Sequence, residues 1–339
     1  MVRPVSNPPN PWESVHAEWL GEPPEAKLEI YEEHARSIVA ENDSPDVGFR
    51  FSVNPYRGCF HACSYCYARP SHQYLGFGAG TDFERKIVVK VNAPQLLRRE
   101  LARRSWKGEV IVFSGNTDCY QPLEASYGLT RGCLEACAEV ANPVAVITKG
   151  ALVRRDADLL ARMARETPVS VTLSIAFADD GVSRRLEPGT SPPSQRFETL
   201  RILSEAGIRA GISIAPIIPG LNDSDTAELL ERARQAGAQF AFQTLLRLPA
   251  EVLPVFEERL GEAFPGRARK VLHAIEDVRG GKRNESAFGK RMHGVGPRWD
   301  AIEALFEAQC RRLGLNARED WDMPSGFRRP GAQADLFPE

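Results

Sequence analysis

The sequence lacks an apolar run that approaches the roughly 20 residues of a membrane span. Its first residues are polar and rich in proline, so they do not resemble a secretory signal peptide. A strong charge imbalance is also missing, because the formal net charge of the 339 residues is −2. Any binding to nucleic acid would then require a local basic patch. These absences predict a cytoplasmic protein with no membrane partner.

A disulfide framework is a further feature that the sequence does not support. Its seven cysteines are odd in number, and three of them fall within residues 59–66. Disulfide-rich secreted domains usually combine a short chain with an even number of cysteines. Thiols in the cytosol stay reduced, and clustered cysteines there usually indicate metal or redox chemistry.

Short β-branched runs alternate with amphipathic segments from about residue 50 to about residue 247. The strand candidates are Phe49–Asn54, Val110–Ser114, Val144–Thr148, Val169–Ala176, Gly211–Ile217 and Phe240–Leu246. The helices between them are predicted to begin near Ala93, Glu124, Asp156, Ser194 and Asp223. This alternation is typical of a parallel sheet, and six strands predict an α/β fold with a partial (β/α)6 TIM-type barrel. Functional residues are then expected at the carboxyl ends of the strands.

Composition divides the sequence into four predicted parts. They are an N-terminal extension (1–48), the barrel (49–250), a mainly helical and basic C-terminal region (251–325) and a flexible tail (326–339). The extension is rich in proline and glutamate, and one helix is predicted in it near Glu25–Glu41. The last helix of the C-terminal region is predicted near Trp299–Arg312.

Three cysteines are spaced C-x3-C-x2-C directly after the first predicted strand. Cys59, Cys63 and Cys66 would bring three thiolates into one compact loop. A [4Fe–4S] cube has four irons, so three protein thiolates leave one iron open to a ligand from outside the protein. We therefore predict that these cysteines hold a [4Fe–4S] cluster with one open iron.

Two other interpretations of this loop are open. A zinc ion would require four ligands, and His61 could supply the fourth. Structural zinc sites usually pair two C-x2-C knuckles, however, and the sequence has no second knuckle. Cys133 and Cys137 could serve as ligands from one helix face, but their helix has the pattern that is typical of core packing. The remaining interpretation is three incidental core cysteines, which Gly58 and Ser64 oppose because they indicate a loop.

An aromatic residue, Tyr65, stands between the second and third cysteines of the loop. A C-x3-C-aromatic-C loop after the first strand of a βα chain resembles the radical S-adenosylmethionine (SAM) superfamily. The longer block NPYRGCFHACSYCYARPSHQYLGFGAGTDFERKIVVKVNAPQLLRREL resembles the spore photoproduct lyase-like branch, and the resemblance extends over roughly residues 38–300. It implies that the cluster, reduced by an external electron donor, cleaves SAM to a 5′-deoxyadenosyl radical.

The resemblance also implies where SAM would bind. Ser114, Gly115 and Asn116 follow the second strand, where superfamily members have a polar stretch against the SAM amino group. Lys149 follows the third strand and is implied as the partner of the SAM carboxylate. Ser174 ends the fourth strand and is implied as a ribose contact. A solvated strand end is the alternative for each of them.

Spore photoproduct lyases pass a hydrogen atom through a cysteine after the second strand and two tyrosines of the cluster loop. Tyr65 and Tyr67 match the two tyrosines by position. Asn116 occupies the position of the cysteine, which is a departure from the family pattern. Cys119 either replaces that cysteine as a hydrogen-atom donor or is a small buried residue. Despite this departure, formation of the 5′-deoxyadenosyl radical is still predicted. The substrate on which the radical acts is not determined by the resemblance.

A basic segment lies in the C-terminal region, where residues 267–298 contain nine Lys and Arg against three acidic residues. A solvated charged helix is the usual explanation of such a run, but glycines interrupt this one and indicate a partial loop. Basic loops suit contact with phosphates. We therefore predict action on nucleic acid, with lyase-like repair of DNA lesions as the leading hypothesis. Modification of RNA, protein or a small metabolite is the alternative, and a zinc-binding nucleic-acid module is an alternative of another class.

The last residues contain a short peptide motif. Gln333, Leu336 and Phe337 resemble the Q-x-x-L-F peptide by which many bacterial replication and repair proteins dock on the β sliding clamp. Apolar side chains in a polar tail have no core to join and are typical of a tethered ligand. The sequence therefore predicts the sliding clamp as a partner.

Overall fold

The structure, a computed structural model, describes residues 27–317 and 323–329. Its strands are β1 (Glu29–Glu33), β2 (Val39–Glu41), β3 (Phe51–Val53), β4 (Tyr56–Arg57), β5 (Lys86–Lys90), β6 (Ile111–Phe113), β7 (Val144–Thr148), β8 (Val169–Ser174), β9 (Arg209–Ile217) and β10 (Phe240–Leu245). Its helices are α1 (Thr81–Arg85), α2 (Ala93–Leu101), α3 (Glu124–Tyr127), α4 (Leu129–Glu139), α5 (Ala157–Met163), α6 (Asp180–Leu186), α7 (Pro193–Glu205), α8 (Thr226–Gln235), α9 (Val252–Ala263), α10 (Ala268–Val278) and α11 (Pro297–Leu313).

The principal sheet contains the six strands that the sequence predicts. Its order is β10-β9-β8-β7-β6-β3-β2, and all neighbours from β3 to β10 pair in parallel. Strand β2 pairs antiparallel with β3 and ends one edge, while β10 ends the other. The predicted α/β fold with an open, partial arrangement of six βα units is confirmed.

The two faces of the principal sheet differ in chemistry because side chains alternate along each strand. Val146, Val171 and Ile212 belong to the apolar core that the surrounding helices cover. The register pairs Ser174 with Ser213 on the opposite, inner face. Ser52, Ser170 and Thr172 are further small polar residues of the inner face, and all are buried. The inner face therefore carries small polar residues, beside Val112 and Ile147, toward the carboxyl edge of the sheet.

The predicted helix near Glu25–Glu41 is wrong for the described residues from 27 onward. This stretch forms β1, which pairs in parallel with β5, and then β2. The Asn92 side chain fixes the connection by accepting from the Ala35 N–H and donating to the Ala35 carbonyl, both at 2.9 Å. Strand pairing with β5 outweighs the local helix preference of the glutamates, because tertiary context overrides intrinsic propensity.

The C-terminal region is helical where the sequence predicts it. Helix α11 confirms the last predicted helix, and α10 covers the first third of the basic segment. The rest of that segment, before α11, forms neither helix nor strand. Phe256 of α9 and Val271 of α10 pack in one apolar cluster with Cys63 and Tyr65 of the cysteine loop. The boundaries of the four sequence parts stay a prediction. Within the described ranges, no helix combines the length and apolarity of a membrane span.

Candidate active site

The cysteine loop lies at the carboxyl edge of the principal sheet, reached from β3 through the short strand β4. Cys59, Cys63 and Cys66 are all free thiols, and the first two are buried. The Cys59 N–H donates to the Phe83 carbonyl (2.9 Å), which ties the start of the loop to α1. Burial raises the pKa of the Cys63 thiol, and the neighbouring Cys66 and Cys59 raise it further. The three thiols are therefore electrostatic neighbours within one loop.

A buried arginine shapes the middle of the loop. Arg69 donates to the Cys63 carbonyl from Nε (3.2 Å) and Nη2 (2.8 Å). Its Nη1 donates to the carbonyls of Ala79 and Gly80, and its Nη2 lies 2.5 Å from Oε1 of Glu84. Both Arg69 and Glu84 are fully buried. The sequence alone does not predict this ion pair, because its only local signal is the position of Arg69 soon after the last cysteine.

Gln121 supports the other side of the loop. Its side-chain oxygen accepts from the Phe60 N–H (2.9 Å), and its Nε2 donates to the Gly58 carbonyl (3.2 Å). Gly58 has a φ of +76°, a left-handed conformation that favours glycine. Gly189 approaches the loop closely, since a Cβ at that residue would lie 2.1 Å from the Phe60 carbonyl oxygen. The backbone of the loop is thus held from two sides.

Asp118 links the cysteine loop to two strand ends. Its Oδ2 lies 3.3 Å from Nδ1 of His61 and accepts from the Lys149 N–H (2.7 Å), while Oδ1 accepts from the Thr148 hydroxyl (2.6 Å). Burial alone lowers the pKa of His61, but Asp118 and the neighbouring Cys59 together outweigh burial and raise the pKa to about 10. His61 is therefore engaged by Asp118. In the part of the chain that the structure describes, no three His, Cys, Asp or Glu side chains converge on a single metal ion.

The stretch after β6 lies next to the cysteine loop. Gly115 lies close to β3, because a Cβ there would lie 2.8 Å from Cβ of Ser52. The Asn116 N–H donates to Oδ1 of Asn54 (2.8 Å). Ser114 has a φ of +74°, and its hydroxyl accepts from the Cys119 N–H (2.8 Å). This stretch is therefore a tight turn with close backbone approach.

Lys149 and Ser174 lie at the ends of the next two strands. The Lys149 ammonium is 5.8 Å from the centroid of the Tyr65 ring. Its positive charge lowers the pKa of Cys63, against the larger effect of burial. The Ser174 side chain is buried, and its carbonyl accepts from Nη1 of Arg196 (2.8 Å). Lys149 thus provides a cation beside the thiols.

The two tyrosines of the loop have different surroundings. Tyr65 is buried and donates its hydroxyl hydrogen to the Glu187 carboxylate. Glu187 is also paired with the fully buried Arg196 at 2.5 Å. Tyr67 is 48% exposed and donates to the Gly115 carbonyl (3.0 Å). Both hydroxyl groups are therefore hydrogen-bonded to protein acceptors.

Cys119 lies in the principal core. Its side chain is fully buried in the apolar core that includes Cys133 and Cys137 of α4. Its carbonyl accepts from the Thr130 hydroxyl (2.7 Å). The surroundings are those of a small core residue, and a role of Cys119 as hydrogen-atom donor stays a prediction. Gln333, Leu336 and Phe337, the predicted clamp-binding residues, lie outside the described residues.

Comparison with protein families and curated proteins identifies the family. Residues 53–233 match the model of the radical SAM superfamily. An uncharacterized protein of Mycobacterium tuberculosis is 44% identical over 192 residues, which are 56% of this chain and 56% of that protein. An uncharacterized protein of Methanocaldococcus jannaschii is 31% identical over 198 residues, 58% of this chain and 71% of the relative. This chain thus spans about half the length of the mycobacterial relatives that it matches.

Two further similarities concern characterized proteins. The radical SAM Nalpha-GlyT isomerase of Pseudomonas phage M6 is 25% identical over 265 residues, 76% of this chain and 53% of that protein. Spore photoproduct lyase complexed with dinucleoside spore photoproduct has a TM-score of 0.61 at 19% identity, over 88% of this chain and 86% of that chain. A structure of the lyase with bound AdoMet has a TM-score of 0.58 at 18% identity, over 84% of this chain and 80% of that chain. The predicted resemblance to the spore photoproduct lyase-like branch is therefore confirmed at the level of the fold. Because the family model covers more than half of the sequence, this chain belongs to the radical SAM superfamily, whose members use a [4Fe–4S] cluster and SAM.

Proposed function

We propose that this chain is a radical SAM enzyme that acts on nucleic acid, with lyase-like repair of a DNA lesion as the leading reaction. In this proposal Cys59, Cys63 and Cys66 hold the [4Fe–4S] cluster. When bound there, the cluster would supply the electron for reductive cleavage of SAM to methionine and a 5′-deoxyadenosyl radical. An external donor must deliver that electron to the protein. The residues of this chain bind and orient the cofactors and the substrate.

The chemistry of the loop supports the cluster assignment. All three candidate ligands are thiols, and each ligand of a cube binds a different iron, so they need not converge on one point. A single zinc ion would require such convergence, and within the residues described no three His, Cys, Asp or Glu side chains converge in that way. His61 lies beside Cys59, but Asp118 also pairs with its imidazole. The Ser64 hydroxyl inside the loop is buried without a hydrogen-bond partner among the described residues. A buried hydroxyl of this kind suits donation to a cluster sulfide.

The SAM carboxylate is assigned to Lys149, because its ammonium lies beside the thiol loop at a strand end. The Lys149→Met variant is expected to bind SAM on the order of tenfold or more weakly, since it loses a charge-assisted hydrogen bond. Equilibrium dialysis against labelled SAM measures this change, and visible absorption checks that the cluster is retained.

Lys107→Met is the matched control for Lys149→Met. Lys107 is exposed and precedes β6, at the amino edge of the sheet, so its loss removes one charge far from the proposed site. The control is expected to bind SAM as the wild type does. Equal affinity of wild type and Lys149→Met for SAM would contradict the assignment of the carboxylate.

The position of the basic segment is the observation that carries the proposed substrate class. The Leu245 N–H donates to the Met292 carbonyl (3.1 Å), so residues 279–296 pack against the carboxyl end of β10. The buried Arg279 anchors them by donating from Nη2 to the Leu246 carbonyl (2.7 Å) and from Nη1 to the His293 carbonyl (2.8 Å). Basic residues therefore border the same edge of the sheet as the cysteine loop. Positive charge at the entrance of a site favours a polyanionic substrate.

The relatives support a nucleic-acid substrate without deciding the reaction. The fold neighbour is named as a lyase and was solved with a dinucleoside spore photoproduct, whereas the phage relative is named as an isomerase. The departure at Asn116 also separates this chain from the relay of the lyases. Lesion reversal and isomerisation are thus the two reactions to distinguish first.

Stimulation of SAM cleavage tests the proposed function. The reconstituted enzyme is incubated anaerobically with a reductant and SAM, and 5′-deoxyadenosine is measured by chromatography. We expect irradiated DNA or DNA with modified bases to increase its formation severalfold above the rate without substrate. Undamaged DNA, RNA, peptides and nucleosides complete the panel. If only peptides or small metabolites stimulate cleavage, the nucleic-acid proposal is wrong, although membership of the superfamily is unaffected.

A further inference from the structure

Arg247 follows the carboxyl end of β10 and lies beside the proposed reaction site. Its Cζ is 5.5 Å from the centroid of the Tyr67 ring, and the Tyr67 hydroxyl donates to the Gly115 carbonyl at the end of β6. The Leu246 N–H donates to the Ile217 carbonyl (2.9 Å), which fixes the chain immediately before Arg247. The guanidinium therefore lies between the end of the cysteine loop and the edge strand of the sheet.

The guanidinium of Arg247 has no hydrogen bond or ion pair to any described residue, and its Nε is buried. Asp46 attracts it, but that carboxylate accepts from the Gly289 N–H (2.6 Å) and from Nε of Arg291. Burial and the charge of Arg291 lower the pKa of Arg247. A partly buried cation without a counterion costs stability, and such groups concentrate at functional sites.

A second arginine–aromatic pair lies next to the first. Cζ of Arg291 is 4.5 Å from the centroid of the Phe288 ring, and Phe288 is 61% exposed. Arg247 and Arg291 are close enough to repel each other, and Asp46 is paired with Arg291. The rim of the site thus combines net positive charge with exposed aromatic rings. Phosphate groups and base faces are the complementary chemistry.

We propose that Arg247 binds a phosphodiester of the substrate and holds it next to Tyr67. This inference rests on the proposed action on nucleic acid and adds the residue that recognises the backbone at the reaction site. A guanidinium can donate two parallel hydrogen bonds to two phosphate oxygens, and stacking on Tyr67 orients its plane. The phosphate supplies the counterion that the described residues do not give to Arg247.

The test compares a charged ligand with a neutral ligand of the same shape. The dinucleoside monophosphate d(TpT) and its methylphosphonate analogue are titrated into the cluster-loaded protein in the presence of S-adenosylhomocysteine. The wild type is expected to bind d(TpT) on the order of tenfold more tightly than the analogue. Arg247→Gln is expected to bind both ligands equally, with the affinity that the wild type has for the analogue.

Two further variants make the result specific. Arg98→Gln removes one positive charge from α2, where Arg98 pairs with Glu139 on the outer layer of helices. This variant is expected to prefer d(TpT) over the analogue by the same factor as the wild type. Arg247→Lys keeps the charge but loses the paired donors, and is expected to retain part of the discrimination. Visible absorption of each variant reports whether the cysteine loop is intact.

The proposal is overturned if Arg247→Gln and the wild type bind d(TpT) equally, or if the wild type does not bind d(TpT) at millimolar concentration. Failure of the proposed function gives a different result. If neither DNA nor RNA stimulates SAM cleavage while the wild type still prefers d(TpT) over its analogue, the phosphate site stands and the substrate assignment fails. If DNA stimulates Arg247→Gln and the wild type with the same concentration dependence, the phosphate site fails alone.

Discussion

Cys63→Ala protein is expected to purify without the brown colour of an iron–sulfur protein and to form no 5′-deoxyadenosine from SAM. Three thiolates hold the cube by three irons, and the loss of one leaves two ligands on a cluster that already has one open iron. Iron analysis should fall from about four irons per chain to a small fraction of that value. Absorption at about 400 nm should decrease in parallel.

Cys133→Ala is the matched control for the cluster assignment. Cys133 is a fully buried free thiol of α4 in the principal core, and the same substitution there removes a sulfur without touching the loop. This variant is expected to keep its iron and its activity, with a modest loss of stability. The assignment would be contradicted if Cys63→Ala kept its iron, or if Cys133→Ala lost it.

Arg69→Ala is expected to lower the free energy of unfolding by about 3–5 kcal/mol, because it leaves the Glu84 carboxylate buried without its principal partner. The pair is fully buried, and Arg69 also donates to the carbonyls of Cys63, Ala79 and Gly80. Arg259, 3.4 Å from the other oxygen of Glu84, offsets part of the loss. Urea unfolding of the cluster-free protein, followed by circular dichroism, measures the change.

Arg201→Ala controls for the general effect of losing an arginine from an ion pair. Arg201 pairs with Glu198 and Glu205 along α7, and all three side chains are about half exposed. Exposed pairs contribute little, so this variant should unfold close to the wild type. If Arg69→Ala were as stable as Arg201→Ala, the buried ion pair would not be what holds the loop.

The elements of the barrel could be predicted because their signals are local. Runs such as Val144–Thr148 are short and β-branched, and the structure reproduces that strand at the same residues. Strand β1 could not be predicted, because its partner β5 begins 57 residues later in register and its sequence, EIYEE, contains three glutamates. Non-local pairing decides its conformation, and local composition does not report such pairing.

The candidate site also has one part that could be predicted from the sequence and another that could not. The cysteine spacing is contained in eight residues, so it could be read directly from the sequence. Asp118 and Gln121 contact the loop from about 60 positions away, and only the folded chain brings them to it. The placement of Cys119 in the core likewise depends on how the turn after β6 closes on the Ser114 hydroxyl. Local motifs thus identify ligands, whereas their supporting contacts require the tertiary structure.

The hydrogen bonds of Arg279 determine which residues at the rim of the site can be substituted. Its guanidinium contacts the basic segment through the main-chain carbonyls of Lys290, Arg291 and His293. Because every amino acid has such a carbonyl, exchanging these three side chains leaves the anchor in place. Arg291 also pairs with Asp46 through its side chain, so Lys290 and His293 are the rim positions that can change without loss of the backbone path. Directed evolution of substrate range should begin at these positions, with Arg279 held constant.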